Sequence, residues 1–335
     1  MAGIGIISNA NARLNKLSPN LKDRLNFILG RKGELVSTYS LEDVEDAVEA
    51  FKKIDVDIIA ISGGDGTAHR TLEKILPLYD NPKSIPPVLL LPSGTQNMVP
   101  KSLGITTSSL AALMMTRTKY LHNIPMQTVS RNLLQVNDHY SFMFGLGAAP
   151  RFLQEHYAHN KGHFSSITLF FSYVYDAIRK NDRAFELIKP IEMEAFIDGK
   201  PYQDIDKLHT IFCSFVEEVA LRFKCFPRSG WQKDKFESLF FKSGLIETLK
   251  AVPGLWLGSK SSNEKVERKM VSLLELKLKE PEPYTLDGDL YPPHSNFIIK
   301  PGPELKFVIP GISKFDRKIR VRSGKTGPWG RSFHI

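Results

Sequence analysis

Apolar and polar positions follow two different rhythms along the chain. Over the first 120 or so residues, short unbroken apolar runs are followed by stretches with helical spacing. Ile4-Gly5-Ile6-Ile7 reads as a buried strand. Leu21, Leu25, Ile28 and Leu29 then form a stripe at helical spacing, with Ser18-Pro19 where a helix starts and Gly30 where it stops. Ser40, with Asp43 three residues on, predicts a capped helix that carries Leu41, Val44, Ala47, Val48 and Phe51 on one face. Residues 56–61, apolar apart from Asp57, form a strand that runs into Ser62-Gly63-Gly64-Asp65-Gly66, and a helix over 67–76 follows. Residues 88–91 repeat the device and end in Pro92-Ser93-Gly94-Thr95. Strands alternating with helices predict a parallel sheet with helices on both faces. Ligands of such sheets lie beyond the carboxyl ends of the strands, where both glycine loops fall.

From about residue 125 the rhythm changes. Residues 133–136, 191–197, 208–216, 270–278 and 297–299 carry strand chemistry, and Asp198-Gly199 is a hairpin-turn signal. One helix, over about 164–180 and apolar on almost every side, interrupts them; it reads as core before it reads as an acyl-chain surface. The expected architecture is an α/β domain over 1–124, a mostly antiparallel β-sandwich over 125–312 and a basic tail over 313–335 that can pack on the first domain. The active site is expected in the cleft between domains. Seven basic residues against Asp316 alone between 314 and 331 define the tail.

Composition narrows the class. Forty-two per cent hydrophobic and 24% charged residues exclude a disordered or fibrous chain. Two cysteines, Cys213 and Cys225, build neither a disulfide framework nor a four-cysteine zinc site, which fits a cytoplasmic protein. No segment has the roughly 20 apolar residues of a membrane span. Near the N-terminus the basic residues follow the apolar run, the reverse of a secretory signal. The formal charge of +9 favours anionic partners.

The strongest chemical feature is Gly63-Gly64-Asp65-Gly66-Thr67 between a strand and a helix. Glycines let backbone N–H groups approach phosphate oxygens, and the helix N-terminus adds favourable electrostatics. An Asp in such a loop calls for a cation or a hydroxyl donor; alone, the loop is equally a tight turn with an Asp cap. The second loop, Gly94-Thr95-Gln96-Asn97, lies on the next buried strand and completes an anion-binding edge. Together these residues resemble the diacylglycerol kinase catalytic-domain family of lipid kinases. Asn9-Ala10-Asn11-Ala12-Arg13 resembles the family's opening segment, Ser141 to Ala148 its aromatic-glycine stretch, and Leu286-Asp287-Gly288-Asp289 its late DG-acid motif, so that the similarity extends over nearly the whole chain.

That resemblance implies an ATP- and Mg²⁺-dependent kinase that phosphorylates a lipid hydroxyl; the basic segments suit transient, peripheral docking on anionic membrane, and no nucleic-acid partner is expected. Asn9, Arg13, Gly63, Gly64, Asp65, Gly66, Thr67, Gly94, Thr95 and Asn97 are the implied nucleotide ligands. Asp65 is the implied metal contact, Asp287 the base and Asp289 its orienting partner, although Asp287-Gly288 alone also reads as a hairpin turn. The chain departs from the pattern where Met98 stands for a common Asp, where His69-Arg70 follow the first loop in place of an acidic residue, and where residues 121–125 supply no carboxylate. These departures keep open a non-catalytic nucleotide- or lipid-binding protein with the kinase fold. His156, His159 and His163 read as surface histidines before a metal site. The mixed basic and aromatic residues between Arg222 and Phe241 suit a membrane-facing surface. Gly324-Lys325-Thr326 lacks the upstream glycine and strand of a P-loop.

Overall fold

The computed structural model describes residues 3–18, 20–94, 97–158, 179, 182–203, 208–218, 224–242, 245–258 and 266–311. Apart from Arg179, the helix expected over 164–180 lies outside the described residues, as do the basic tail, Thr95, His159 and His163.

The first lobe is the alternating structure that the pattern predicts. Its strands are β1 (Ile4–Asn9), β2 (Gly33–Thr38), β3 (Ile58–Gly63) and β4 (Val88–Pro92), all parallel, in the spatial order β2-β1-β3-β4. Helices α1 (Arg13–Leu17) and α2 (Leu21–Leu29) follow β1, α3 (Leu41–Lys53) follows β2, α4 (Asp65–Leu78) follows β3, and α5 (Met98–Ser102) and α6 (Ser109–Leu121) follow β4. Side chains of α3 and α4 pack on one face of the sheet and those of α2 and α6 on the other. Ser40 and Asp43 form the expected capping box. Helix α2 starts later than Ser18-Pro19 proposes, with Asn20 as its cap, because Ser18 ends the short helix α1. Strand β2 (GELVST) has no continuous apolar run because it is an edge strand with only Thr38 buried, so its sequence is not marked as a strand.

The rest of the chain is largely antiparallel. It contains β5 (Gln127–Val136), β6 (His139–Ser141), β7 (Met143–Gly147), then α7 (Ala148–Ala158) and α8 (Asp182–Leu187). Strands β8 (Met193–Ile197), β9 (Lys200–Pro201), β10 (Thr210–Ser214) and β11 (Phe236–Phe241) follow. After α9 (Leu245–Trp256) come β12 (Val266–Val271), β13 (Leu274–Leu286) and β14 (Asp289–Ile309). The two longest strands, β13 and β14, change partners along their length at bulges, so that antiparallel layers fold over one apolar core built from Leu134, Phe144, Ile211, Phe240, Leu276 and Phe297 among others. Asp198 and Gly199 both adopt left-handed φ, at 51° and 76°, and make the predicted hairpin between β8 and β9.

The lobes share strands. The end of β14 returns to pair in parallel with β4 at Phe307↔Val88, and β5 pairs along it antiparallel, so among the described residues one continuous sheet of 14 strands runs through both lobes. Leu305, Phe307 and Ile309 sit in the core of the first lobe.

The basic and aromatic stretch near residue 230 is corrected by this packing. Phe226, Phe236, Phe240 and Phe241 are buried, three of them in β11, while Trp231 and Lys233 face solvent. Basic residues between these aromatics give the stretch the look of a surface in sequence, but burial follows the strand and not the charge count. Both cysteines are buried free thiols, and burial pushes each up to about 12.

Candidate functional site

Strand β1 leads to β2 on one side and, through α3, to β3 on the other, so the connections diverge between β1 and β3. A crevice at such a switch point is where α/β sheets take ligands. Asn9 at the end of β1 reaches across it: Nδ2 donates to Thr67 Oγ1 at 2.8 Å, and Oδ1 accepts from the Asn11 amide at 2.8 Å.

The two glycine loops touch backbone to backbone. A Cβ on Gly94 would lie 2.5 Å from Gly64 Cα, and one on Gly63 would lie 2.3 Å from the Thr67 side chain. The amide of Ser93 donates to Gly63 O at 2.8 Å, and beneath them the Ser62 and Ser93 hydroxyls are 3.2 Å apart. Asn97, in left-handed conformation at φ 50°, closes the second loop on itself. Its Nδ2 donates to Gly94 O and its Oδ1 accepts from the Gly94 amide, both at 3.0 Å. Helix α1 joins through the Leu14 amide, which donates to Ser93 O at 3.1 Å; Arg13 begins α1, and its side chain lies outside the described residues.

Asp65 ties one loop to the other. Its Oδ2 accepts from the Met98 amide and its Oδ1 from the Val99 amide, both at 3.0 Å, capping α5. Burial raises its carboxyl pKa against the lowering effect of those amides, and the charge of Asp287 raises it further. The position of Met98 therefore matters through its backbone N–H, and its side-chain identity is not part of this contact.

The late acidic motif arrives from the other lobe. Asp287 and Gly288, with φ of 51° and 91°, form the two-residue turn between β13 and β14, with Leu286 opposite Asp289. Asp287 is buried, its side chain 3% exposed. Its Oδ1 accepts from the Met143 amide at 2.8 Å, and both oxygens lie within 3.1 Å of the Phe142 amide. His69 Nδ1 lies 3.1 Å from Asp287 Oδ2 without the alignment of a directed hydrogen bond. Asp289 is one-third exposed, at 34%, and faces the first turn of α4: its Oδ1 lies 3.4 Å from where a Cβ on Gly66 would be. Arg70 Nε donates to Asp289 Oδ2 at 3.0 Å, and the guanidinium lies 4.9 Å from the Tyr291 ring centroid. Tyr157 OH on α7 reaches Gly288 O at 3.3 Å.

The structure thus brings Gly63, Gly64, Asp65, Gly66, Thr67, Gly94, Asn97, Asn9, Asp287 and Asp289 to one edge. It arranges the two motif acids differently from the sequence reading, with Asp287 enclosed by amides and Asp289 open to the loop. It also adds residues that the sequence reading passed over. Glu73, one helical turn beyond His69, sits 3.6 Å from His69 Nε2, 3.5 Å from Arg70 Nη1 and 3.0 Å from His139 Nδ1. Tyr291 OH is 3.0 Å from His69 Nε2. The spacing of His69 and Glu73 is a local signal; His139 and Tyr291 come from other strands and leave none. Burial opposes the charge on His69, yet contact with Asp287 and the fields of Asp287, Glu73 and Asp289 prevail and raise its pKa.

These carboxylates do not fit a protein-held divalent ion. Asp65 and Asp287 are engaged by backbone amides and Asp289 by Arg70. Among the described residues no group of three or more His, Cys, Asp or Glu side chains is arranged to hold a metal.

Residues 4–129 match the diacylglycerol kinase catalytic domain family, as the loops led us to expect; kinases of that family generally use ATP and a divalent metal. The match ends near the start of β5, whereas likeness of fold continues through both lobes. A diacylglycerol kinase from Bacillus anthracis str. Sterne superposes with a TM-score of 0.66 at 16% identity, covering 92% of this chain and 97% of that one. A second structure from that organism, provisionally named a diacylglycerol kinase, reaches 0.70 at 18% identity with the same coverage. No curated protein matches the chain by sequence. The family match covers the first lobe, and the likeness of fold, an α/β lobe of parallel strands followed by a β-rich, largely antiparallel lobe, extends over both. Among the described residues no helix is long and apolar enough to cross a membrane.

Proposed function

We propose that the protein transfers the γ-phosphoryl group of ATP to the hydroxyl of a lipid, diacylglycerol or a related one. The observation that carries the reading is the meeting of two glycine loops in backbone contact with an acidic turn delivered from the other lobe. Residues 1–124 are taken as the nucleotide side, residues 125–312 as the lipid side and 313–335 as a basic segment toward anionic lipid. The triphosphate lies along Gly63–Thr67 and Gly94–Asn97, where backbone amides and the α4 N-terminus favour anions.

The acceptor oxygen bonds to the γ-phosphorus as the bond from phosphorus to the β–γ bridging oxygen breaks, and ADP leaves with that electron pair. Positioning and charge neutralisation carry most of such a reaction. The acceptor proton passes to Asp289, the motif acid that is open to the loop. Asp287 holds the turn. Mg²⁺ is assigned to the nucleotide's phosphates and not to a protein site, because Asp65 and Asp287 are held by amides and Asp289 by Arg70. It is needed there because the described edge carries Asp65, Glu73, Asp287 and Asp289 against His69, Arg70 and Lys101. A bare triphosphate meets more like charge than opposite charge there.

The engaged carboxylates also favour a second reading, a nucleotide-binding protein without transfer. Label transfer from γ-labelled ATP into a total lipid extract on anionic vesicles separates the two. The kinase reading expects a labelled lipid with the wild type and none above background with Asp289→Asn. ATP binding with no labelled lipid would leave the binding protein.

A further inference from the structure

The seam between lobes beside the site is built from charges that pair across it. From the first lobe, α4 presents His69, Arg70 and Glu73. From the other, the turn and β14 present Asp287, Asp289 and Tyr291, and β6 presents His139. Each α4 cation meets one acid of the turn, His69 with Asp287 and Arg70 with Asp289, and the α4 acid Glu73 meets His139.

His69 is the buried centre of this array. Its side chain is fully enclosed, with Asp287 on Nδ1 and Tyr291 OH and Glu73 on Nε2. A neutral imidazole has one N–H and one lone pair. Here the ring lies between two carboxylates, Asp287 at 3.1 Å from Nδ1 and Glu73 at 3.6 Å from Nε2, while the Tyr291 hydroxyl can donate to or accept from Nε2. It is the pair of negative charges, with no other buried cation between them among the described residues, that favours the doubly protonated ring. The Phe142 and Met143 amides satisfy the Asp287 oxygens but carry no net charge, and a buried carboxylate charge is less costly beside an imidazolium than beside a neutral ring. Asp287 in turn holds the Phe142 and Met143 amides and sets the left-handed start of the turn, two residues before Asp289.

We infer that His69 is a positioning residue: as imidazolium it fixes the Asp287-Gly288 turn and thereby holds Asp289 against the first turn of α4. The step from Asp289 to catalysis rests on the kinase reading above; the step from His69 to the turn does not. When His69 loses its proton, Asp287 faces a lone pair or a single shared N–H. The groups that face the ring are then Asp287, Glu73 and Tyr291, with Asp289, Arg70, His139 and Asp65 next to them, and the acids among them repel without a buried counter-charge. The turn loosens and Asp289 leaves its place over Gly66. Arg70 does not replace His69, because it pairs with Asp289 and not with Asp287.

The test has two arms on the full chain. In the first, NMR follows the labelled His69 ring and the Gly288 and Asp289 amides through a pH titration. The inference expects His69 doubly protonated at pH 7, with both amides shifting in step with its titration, and no such step in His69→Gln. A neutral His69 at pH 7, or amides that stay fixed while it titrates, overturns it. In the second arm, lipid phosphorylation is profiled against pH. A roughly tenfold or larger fall in kcat for His69→Gln, with KM for ATP within about threefold and the alkaline limb of the wild type gone, supports positioning. An unchanged alkaline limb overturns it. If the wild type transfers no phosphate, the kinase reading fails while the NMR arm still decides the role of His69. Thermal unfolding of His69→Gln accompanies both arms, and His69→Lys, which restores a cation, should recover part of the amide pattern if charge is what matters.

Discussion

Asp287→Asn and Asp289→Asn should fail in different ways, because the same motif places one acid in the interior and the other at the surface of the cleft. Asn tolerates the left-handed backbone of position 287, so that substitution tests chemistry and not strain. Asn keeps one acceptor oxygen where the carboxylate has two. The Phe142 and Met143 amides, at 3.0–3.1 and 2.8 Å, then compete for it, and an NH₂ group faces one of them or His69. A charge-assisted bond lost with its donor left buried costs about 1.5–3 kcal/mol. Separation from His69 adds to that, less the relief His69 gains by giving up its proton. A total near 2–4 kcal/mol follows, and with a urea slope of about 2 kcal/mol/M the unfolding midpoint drops by roughly 1–2 M. The Asp289–Arg70 pair is one-third exposed on both sides, and such pairs contribute about 0–1 kcal/mol, so Asp289→Asn should unfold near the wild-type midpoint. Its phosphoryl transfer should fall about 10²–10⁴-fold, the usual worth of a general base. Urea unfolding and label transfer, run on both variants, read the two quantities separately. If Asp287→Asn keeps the wild-type midpoint and loses transfer while Asp289→Asn stays active, burial is no guide to role here, and Asp287 is the base.

Three further outcomes follow from the same geometry. Gly94→Ala forces a Cβ to within 2.5 Å of Gly64 Cα and should cost about 1–3 kcal/mol in urea unfolding, together with measurable ATP affinity by calorimetry; wild-type values in both would show that the loops do not need their contact. His69 has a raised pKa when folded, so its contribution to stability should be fully present below about pH 6.5 and be lost as pH rises through the folded value. Unfolding free energies at pH 6 and pH 9 should therefore differ more for wild type than for His69→Gln, and equal differences would refute this. ATP should bind at least tenfold more weakly in EDTA than with Mg²⁺ by calorimetry, given the excess of carboxylates at the edge; equal affinities would mean that cations outside the described residues neutralise the phosphates.

The first lobe was legible because its signals are local. The capping box at Ser40, the apolar runs of β1, β3 and β4, and the glycines after them are each written within a few residues, and each takes its expected place. Strand β11 was not legible as a strand: Phe236, Phe240 and Phe241 read as a basic–aromatic surface until β10 and β12 are seen to flank them. Strand β14 was seen only at 297–299, since its ends alternate with Pro and charge where it bends between layers. Its return to β4, which welds the lobes, is set by a pairing between residues 307 and 88 that no local pattern encodes.

The site repeats the lesson at smaller scale. The sequence puts Asp287 and Asp289 two residues apart on one motif and offers no reason to separate them. A two-residue hairpin turn provides that reason, because the left-handed Asp287 side chain folds back onto the Phe142 and Met143 amides while Asp289 begins a new strand toward α4. His69 and Arg70 looked like losses beside a pattern that often has an acid in this helix. In the folded chain they are the counter-charges of the two motif acids, supplied from consecutive positions of one helix. A helix that presents His69 and Arg70 to the turn gives each motif acid a basic neighbour from the chain itself. Arg70→Glu should therefore place two unneutralised acids side by side and lower the urea-unfolding midpoint more than Arg70→Gln does; equal midpoints would show that the pair contributes no charge interaction.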